Sequence, residues 1–338
     1  MSLIEQVNVL KKNHNLSKHE RLVEGVLASI ENGSLTVGDK LPSINAMASE
    51  IGYARKTIVK AYEELKHKGL IESRRLKGFY VISEETNITL KVALLLFAFQ
   101  SFQEEFYNTF RNELGSRFQI NVFFHHNNTT IFETILSNIK GKYGMYVVAP
   151  IQNTSVLPLL KVIPAQKLLL VDRYVNLGSD YSFISQEFEK SIYAMLIELL
   201  ESIKKYDRFI LFFNEKDDYS PKGISKAFQK FLTDYQIEGT ILNEYVPQDV
   251  KKGTLYFIKD DSTLWPFLKN CLEKELAIGQ DVGILSFDDS IAKQIVFGGI
   301  STLSTDFIEM AKMAANHVKH GLKSQTIIPV KLIKRNSV

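Results

Sequence analysis

The sequence predicts an α/β protein in which a small helical domain with a β-hairpin precedes two sets of parallel strands. Three observations support this fold class. Short amphipathic helices and a hairpin pattern occupy the first 83 residues, apolar strands alternate with helices of 11–17 residues from residue 91 onward, and the alternation runs through two successive sets. The strands are continuously apolar, which is typical of parallel sheets covered by helices on both faces.

The composition is ordinary for a globular protein, but the charge is unevenly distributed. The 338 residues are 45% hydrophobic and carry a formal net charge of +3, which allows two or three domains. Residues 1–83 hold 13 basic and nine acidic side chains, so the positive excess lies at the N-terminal end. Cys271 is the only cysteine, which excludes an intrachain disulfide and fits a reducing compartment. The longest apolar run, 92–99, is too short for a membrane helix and no signal-peptide order is present, so we expect a cytoplasmic protein without membrane association.

Three helices are predicted in the N-terminal segment. The first spans 17–32, with Ser17 as its N-cap and Glu20 completing a capping box. The second begins after Ser43 and ends in a Gly-Tyr turn, and the third runs over 55–67. The buried face of this third helix is expected to contain Ile58, Ala61, Tyr62 and Leu65.

The opposite face of the third helix carries Lys56 and Lys60, and a solvated lysine face would be the simpler explanation for a single helix. A hairpin predicted over 70–81 changes this balance, because three cations lie at its tip and Gly78 permits the positive φ of a tight turn. A winged helix-turn-helix of this kind is typical of proteins that read the DNA major groove and contact its backbone.

Four motifs in this segment resemble one family. They are Gly38-Asp39-Lys40-Leu41-Pro42-Ser43, Ala54-Arg55-Lys56-Thr57-Ile58, Leu65 to Ile71, and Gly78-Phe79-Tyr80-Val81. Residues 17–82 thereby resemble the winged-helix domain of the GntR family of bacterial transcription regulators. The family often has arginine where this chain has Asn45, and serine where it has Ala54, which removes a helix cap of about 1 kcal/mol. Arg55, Lys56, Thr57, Lys60 and Gly78 match positions that contact DNA in the family, and the predicted interface also includes Ser43, Asn45, Arg74, Arg75 and Lys77.

Polar residues 83–90 form a predicted linker, which divides the chain into a DNA-binding domain at 1–86 and a two-lobed domain at 91–338. In such sheets, ligands bind beyond the carboxyl ends of the strands. Predicted strands cover 92–99, 120–126, 143–150, 167–173, 208–214, 240–246, 254–260 and 281–289. Predicted helices cover 102–115, 130–141, 188–203, 220–235, 264–276 and 306–322.

The second half of the chain carries motifs of another family. They are Val171-Asp172-Arg173, Phe257-Ile258-Lys259-Asp260-Asp261, Ile284-Leu285-Ser286-Phe287-Asp288-Asp289, and Leu303-Ser304-Thr305-Asp306-Phe307. Residues 91–335 thereby resemble the effector domain of LacI/GalR regulators, which shares the fold of periplasmic sugar-binding proteins and implies a two-lobed, periplasmic-binding-protein-like domain. Ser286 replaces a glycine of the pattern, and Lys259 stands where an asparagine usually bonds the ligand.

Sugar sites combine carboxylates, amides and cations for hydroxyl groups with aromatic faces for C–H surfaces. The predicted ligand-binding residues are Ser101, Phe102, Asp172, Arg173, Lys259, Asp260 and Asp288. Capping of strand ends is the alternative role for the aspartates, and Trp265 is expected to pack rather than stack on a ligand. The histidine pairs at 125–126 and 317–320 lack a third ligand at metal spacing and are expected at the surface. Consecutive aspartates at 217–218, 260–261 and 288–289 could suggest a cation site, but adjacent residues on a strand point to opposite faces, which argues against a shared cation.

Together the two resemblances imply a ligand-responsive transcription regulator without a cofactor. It is expected to repress a sugar-utilisation operon by binding a pseudo-palindromic operator as a homodimer, with a small-molecule effector. The composite architecture resembles regulators of pentose and deoxyhexose catabolism, which implies an arabinose- or fucose-like monosaccharide. One alternative is the pyridoxal-phosphate aminotransferase-like domain of other GntR-type regulators, although its Schiff-base lysine motif is not found. Another is an architectural DNA-binding protein without an effector.

Overall fold

We analysed a computed structural model, which describes residues 1–13, 16–67, 70–74, 76–84, 86, 90–98, 100–116, 118–214 and 221–338. The chain forms two compact units. The first contains Met1–Ala98, Asn108–Phe183 and Ala311–Gln325, and the second contains Phe99–Tyr107, Ile184–Met310 and Thr326–Val338. The predicted boundary between 86 and 91 stays a prediction.

The N-terminal part of the first unit, called the head below, has the predicted winged-helix elements and one further helix. They are α1 (Leu3–Leu10), α2 (Lys18–Glu31), α3 (Ile44–Ile51), α4 (Arg55–His67), β1 (Ile71–Arg74) and β2 (Gly78–Val81). The strands β1 and β2 pair antiparallel, as the hairpin pattern predicted. Helix α1 was not predicted, and its side chain Val7 packs so closely on α2 that a Cβ at Gly25 would lie 2.4 Å from it.

The ends of the head helices are fixed by the residues that the sequence indicated. The Ser17 hydroxyl accepts from the Glu20 amide while the Glu20 carboxylate accepts from the Ser17 amide, which is the predicted capping box. The Ser43 hydroxyl accepts from the Ala46 amide at 3.1 Å and caps α3. Gly52 ends α3 in the left-handed conformation, at φ 69°. These caps set the tight turn that brings α3 and α4 together.

The predicted inner face of α4 is the centre of the head core. Ile58, Ala61, Tyr62 and Leu65 are all 0% exposed. Tyr62 keeps its polar end satisfied because its hydroxyl donates to the Pro42 carbonyl at 2.8 Å. Burying this face fixes which side of α4 remains exposed to a partner.

The first α/β set builds a six-stranded sheet in the order β13-β7-β6-β5-β3-β4. The pairs β3–β4, β3–β5 and β5–β6 are parallel, as predicted. Its strands are β3 (Leu90–Leu96), β4 (Phe118–Phe124), β5 (Met145–Val148), β6 (Leu168–Asp172), β7 (Ser182–Glu187) and β13 (Gln325–Pro329). Its helices are α5 (Ser101–Leu114), α6 (Thr129–Ile139), α7 (Leu157–Lys161) and the later α13 (Phe307–His320).

The second set builds another six-stranded sheet, in the order β14-β12-β11-β10-β8-β9. All pairs are parallel except β12–β14, which is antiparallel. Its strands are β8 (Arg208–Phe212), β9 (Gly239–Leu242), β10 (Thr254–Ile258), β11 (Val282–Phe287), β12 (Ser301–Ser304) and β14 (Lys331–Ile333). Its helices are α8 (Glu189–Glu198), α9 (Leu200–Ile203), α10 (Lys222–Tyr235), α11 (Asp261–Glu273) and α12 (Ile291–Ile295).

Several boundaries differ from the sequence prediction for local reasons. The helix predicted over 188–203 is two helices that meet at Leu199. The helix predicted from residue 264 begins three residues earlier, because the Asp260 side chain accepts from the Thr263 amide and caps it. The strands β7, β12, β13 and β14 and the helices α7 and α12 were missed, since most are short and all four strands contain polar residues.

Candidate functional site

The exposed side of α4 carries the predicted cations. Arg55, Lys56 and Lys60 are exposed and Thr57 is half-buried. Among the residues that the structure describes, no acid lies within ion-pair distance of these three cations. Ala54 precedes the helix, and its carbonyl accepts from the amides of Thr57 and Ile58 while its methyl group offers no cap. This face can therefore present positive charge to a phosphate backbone or a base edge.

The start of α3 carries two further residues of the predicted DNA interface, Ser43 and Asn45. Ser43 is exposed, although its hydroxyl is engaged as the N-cap. Asn45 is exposed in the first turn of α3, so its amide is accessible. Helix N-terminal turns of this kind can contact phosphate groups.

Of the hairpin cations that the structure describes, Arg74 is engaged within the hairpin itself. The Nε of Arg74 donates to Glu72 at 2.7 Å, and its guanidinium lies 4.3 Å from the centre of the Tyr80 ring. Arg75 lies outside the described residues. Lys77 is exposed, and Gly78 has the expected positive φ, 103°.

Two features of the hairpin were not identified from the sequence. Lys40 forms an isolated antiparallel β-bridge with Tyr80, and its Cε would lie 3.2 Å from a Cβ added to Gly78. Another exposed cation therefore lies beside the hairpin. Its position in the Gly-Asp-Lys-Leu-Pro-Ser motif was the available signal. Leu76 is fully exposed at the tip and also has a positive φ, 60°.

A cavity of about 260 Å³ lies in the second unit at the carboxyl ends of β10 and β11. Five of the seven predicted ligand residues line it, which are Ser101, Phe102, Lys259, Asp260 and Asp288. Asp172 and Arg173 belong to the first unit, at the carboxyl end of β6. The remaining lining residues are Gln100, Asp261, Ser262, Phe287 and Lys293.

Lys259 and Asp260 form the polar wall of this cavity. The Lys259 ammonium lies 3.3 Å from the Asp260 carboxylate and 5.7 Å from the centre of the Phe213 ring. Asp260 also accepts from the Thr263 amide at 2.9 Å and the Ser262 hydroxyl at 2.5 Å. Burial opposes ionisation of Asp260, but the Ser262 hydrogen bond and the charge of Lys259 outweigh it and lower its pKa. Asp260 is therefore a helix cap as well as a cavity residue.

Ser101 and Phe102 contribute the start of α5. Ser101 is exposed, whereas Phe102 is buried and stacks on Phe307 with ring centres 4.6 Å apart. This packing holds the Phe102 ring in one orientation at the cavity wall. Trp265 is half-buried and packs against the core of the second unit, as the packing interpretation expected.

Each unit places one aspartate in a left-handed backbone conformation at the end of a central strand. Asp172 follows this pattern in the first unit, with φ 65°, and Asp288 does so in the second, with φ 54°. This conformation is uncommon for residues other than glycine and is often found at functional sites. The Asp288 amide donates to the Leu303 carbonyl at 2.9 Å, which fixes the backbone there.

Lys293 is the main cavity residue that the sequence did not indicate. It is 2% exposed, and its ammonium donates to the carbonyls of Phe287 and Asp288 at 2.6 and 2.7 Å and pairs with Asp261 at 2.7 Å. All three ammonium protons therefore have an acceptor. Lys293 closes the carboxyl end of β11 and connects it to α11.

Asp289, next to Asp288, serves a different purpose. Arg335 donates to both of its carboxylate oxygens at 2.7 Å, and Thr302 donates at 3.0 Å. Burial alone would raise the pKa of Asp289. The hydrogen bonds from Arg335 and Thr302 outweigh this effect, so the net pKa of Asp289 is below its ordinary value. Asp289 therefore has its own partners in Arg335 and Thr302, and both aspartates follow β11, which ends at Phe287, rather than alternating along it as predicted.

The lowered pKa of Asp289 predicts an acid-dependent loss of stability. Its stabilising contribution is complete above the ordinary pKa of about 4 and is lost as the pH falls through the lower, folded value. Asp289→Asn should flatten the fall in unfolding midpoint between pH 5 and 3. Urea unfolding followed by the fluorescence of Trp265, the only tryptophan, measures this. Glu201→Gln, which changes a largely exposed acid, should keep the wild-type slope.

The prediction of surface histidines was wrong for two of the four. His125 is 1% exposed, and its Nε2 donates to the Ala149 carbonyl at 3.0 Å while its Nδ1 accepts from the Asn127 amide. Burial lowers its pKa to about 4, so it is neutral at ordinary pH. His317 is also buried, and its Nδ1 donates to the Leu322 carbonyl. Both histidines tie loops to the first unit.

The aspartates at 217–218 lie outside the described residues. In the described part of the chain, no group of three or more histidine, cysteine, aspartate or glutamate side chains is arranged to hold a metal ion. No helix there has the length and apolar character needed to cross a bilayer.

Two family models match the sequence. Residues 18–81 match the model for bacterial regulatory proteins of the gntR family, and residues 203–338 match the periplasmic binding protein-like domain. The first match covers α2 to β2 of the head, and the second covers the second strand set and the cavity residues from Lys259 to Lys293.

Curated relatives match a short part of the chain. The HTH-type transcriptional repressor YtrA of Bacillus subtilis is 38% identical over 72 residues, which are 21% of this chain and 55% of YtrA. The uncharacterized HTH-type transcriptional regulator YdfD of the same organism is 35% identical over 81 residues, 24% of this chain and 17% of YdfD. The match thus spans about half or less of each relative.

Solved structures resemble the α/β part in fold. A LacI family transcriptional regulator from Lactobacillus casei with bound glucose has a TM-score of 0.61 at 14% identity, over 73% of this chain and 99% of that one. A periplasmic binding protein/LacI transcriptional regulator from Alkaliphilus metalliredigens with D-xylulofuranose has a TM-score of 0.60 at 12% identity, over 74% and 99%. The chain therefore joins a GntR-family helix-turn-helix domain to a periplasmic-binding-protein-like domain.

Proposed function

We propose that this protein is a ligand-responsive transcription regulator that represses a sugar-utilisation operon until a monosaccharide binds. The observation that carries the proposal is the presence, in one chain, of an exposed cationic recognition face on α4 and a polar cavity at the strand ends of an α/β domain. The name of YtrA, a repressor, and the sugars bound by the two LacI-type structures support it.

The head is proposed to bind a pseudo-palindromic operator as part of a homodimer. Dimer symmetry would then match operator symmetry, with half-sites about one helical turn apart or more. Ligand binding would change the DNA affinity only to the extent that the ligand binds the two conformational states differently. We retain 1–86 and 91–338 as the proposed functional domains.

The proposed effector is a neutral polyhydroxylated sugar, with arabinose- and fucose-like molecules as first candidates. The cavity combines hydrogen-bonding groups with the Phe102 and Phe287 rings, as sugar sites do. Its charged groups include the Lys259–Asp260 and Lys293–Asp261 pairs, so much of the charge is compensated within the protein. Such a site favours many directional hydrogen bonds over one strong ionic contact.

A gel-shift assay on the protein's own promoter region tests DNA binding. We expect sequence-specific retardation at about 150 mM salt, and weaker binding to random DNA that falls steeply as salt rises. Absence of any specific complex at this salt would contradict the proposal.

A thermal-shift screen against monosaccharides tests the effector site. A specific ligand at about 100 times its dissociation constant should stabilise the protein by about 2.7 kcal/mol. Specific DNA binding without any sugar-dependent shift would instead favour an architectural DNA-binding protein.

Asp288→Asn is expected to weaken binding of the ligand found in that screen by about 10- to 100-fold, since a charge-assisted hydrogen bond contributes roughly 1.5–3 kcal/mol. Asparagine tolerates the left-handed conformation of this position, so the fold should persist. Titration calorimetry measures the change. Asp234→Asn, on the exposed face of α10, is the matched control and should bind like wild type. Unchanged affinity in Asp288→Asn would place the ligand elsewhere.

A further inference from the structure

The head is held against the first α/β set by a cross-domain ion pair. The Lys167 ammonium lies 3.0 and 3.3 Å from the two carboxylate oxygens of Glu20. Both side chains are only 24% exposed, so this pair is shielded from solvent more than the typical surface pair. Glu20 belongs to the first turn of α2, where the capping box with Ser17 already fixes its carboxylate.

Asn13, seven residues before Glu20, makes a second contact between the head and the first α/β set. The Asn13 side-chain amide donates to the Lys319 carbonyl at 3.3 Å, and the Asn13 carbonyl accepts from the Arg21 side chain at 3.1 Å. Lys319, in the last turn of α13, also donates to the Glu113 carbonyl at 2.6 Å. Asn13 thus connects α2, through Arg21, to the α13–α5 pair.

Both contacts occur on elements whose other end carries a predicted ligand residue. Lys167 ends a short turn that leads directly into β6, and β6 ends at Asp172 about 16 Å away, at 3.3 Å per residue. Glu113 lies near the end of α5, which begins with Ser101 and Phe102 at the cavity. A shift of either element on ligand binding would therefore move the point to which the head is attached.

We propose that Glu20 and Lys167 form a latch that positions the head on the effector domain and so sets which operator half-site spacing the dimer accepts. This inference rests on the proposed function. Lys167 is a positioning residue, because it lies on the effector domain and acts on DNA only through Glu20. A latched head has a restricted reach, whereas a head released from the latch can adapt to several spacings.

The test uses the full-length protein and variants of Lys167, since Glu20 also caps α2. Lys167→Glu places two carboxylates together and should open the latch, whereas Lys167→Arg should retain it. Lys161→Glu makes the same charge change at an exposed site of the same unit and is the matched control. Amide hydrogen exchange on the DNA-free protein should show at least threefold faster exchange in the first turn of α2 for Lys167→Glu only.

DNA binding provides the second readout. Gel shifts with operator duplexes whose half-sites are separated by 0–5 extra base pairs should show a single preferred spacing for wild type, Lys167→Arg and Lys161→Glu. Lys167→Glu should reduce that preference about fivefold and leave single half-site binding within twofold. An unchanged spacing preference in Lys167→Glu would overturn the positioning role.

The two readouts separate the possible failures. Unchanged exchange in Lys167→Glu would overturn the latch itself, whatever the DNA results. A wild-type protein that binds no duplex would overturn the proposed function and the positioning role with it, while the exchange data would still decide whether the contact forms in solution.

Discussion

Lys293→Met is expected to lower the free energy of unfolding of the second unit by about 3 kcal/mol, because removing one partner of a buried ion pair leaves uncompensated polar groups. Methionine fills similar space but donates no hydrogen bond. The carbonyls of Phe287 and Asp288 and the Asp261 carboxylate would each lose a donor at 2.6–2.7 Å. Asp261 is half-exposed, so water compensates part of its lost hydrogen bond. The loss of unfolding free energy should therefore lie near the lower end of the range of about 3–5 kcal/mol for broken buried pairs.

Urea unfolding followed by Trp265 fluorescence measures this effect, because Trp265 packs in the core of the second unit. Lys269→Met, which removes an exposed lysine from the same region, should change stability by less than about 0.5 kcal/mol. Adding Asp261→Asn to Lys293→Met should recover part of the loss, since no charge is then left unpaired. A Lys293→Met protein as stable as the control would show that the three hydrogen bonds contribute little.

The head could be predicted closely because its signals are local. Ser17, Glu20 and Ser43 form their hydrogen bonds within one turn of their own helices, so the neighbouring residues in the sequence determine their roles. The apolar spacing of α4 also fixed its buried face without tertiary information. Long apolar strands were recognised for the same reason, whereas short edge strands such as β13 and β14 gain stability only from their neighbours and gave little signal.

The cavity could be predicted only in part, because strand ends identify positions but not partners. The structure brings the predicted residues Lys259, Asp260 and Asp288 together at one cavity, and their role in ligand binding stays a prediction. The sequence did not show that Asp260 would also cap α11, or that Lys293 would reach the end of β11 from a five-residue helix. The engagement of Arg74 was also not predicted, since it depends on the conformation of β1, which holds Glu72, and on the position of Tyr80 across the hairpin.

Arg55→Ala is expected to weaken specific operator binding by about 1–3 kcal/mol, or roughly 5- to 150-fold, if its guanidinium makes a bidentate contact with a base. Arg55 is the first residue of α4 and is exposed, and recognition helices direct their N-terminal residues to the major groove. Because Ala54 gives no side-chain cap and Arg74 is engaged within the hairpin, we expect DNA binding by the head to depend more strongly on Arg55, Lys60 and Lys77.

Two comparisons determine what Arg55 does. Lys66→Ala removes the same charge about 16 Å away along α4 and should cost less than about 0.5 kcal/mol. If Arg55 reads a base, its replacement weakens operator binding far more than binding to random duplex and relaxes sequence preference at one position. An equal loss on both duplexes, with the slope of affinity against salt reduced by about one, would instead assign Arg55 to a phosphate. The head would then owe its specificity to Lys56, Thr57 and Lys60, the remaining polar side chains in the first two turns of α4.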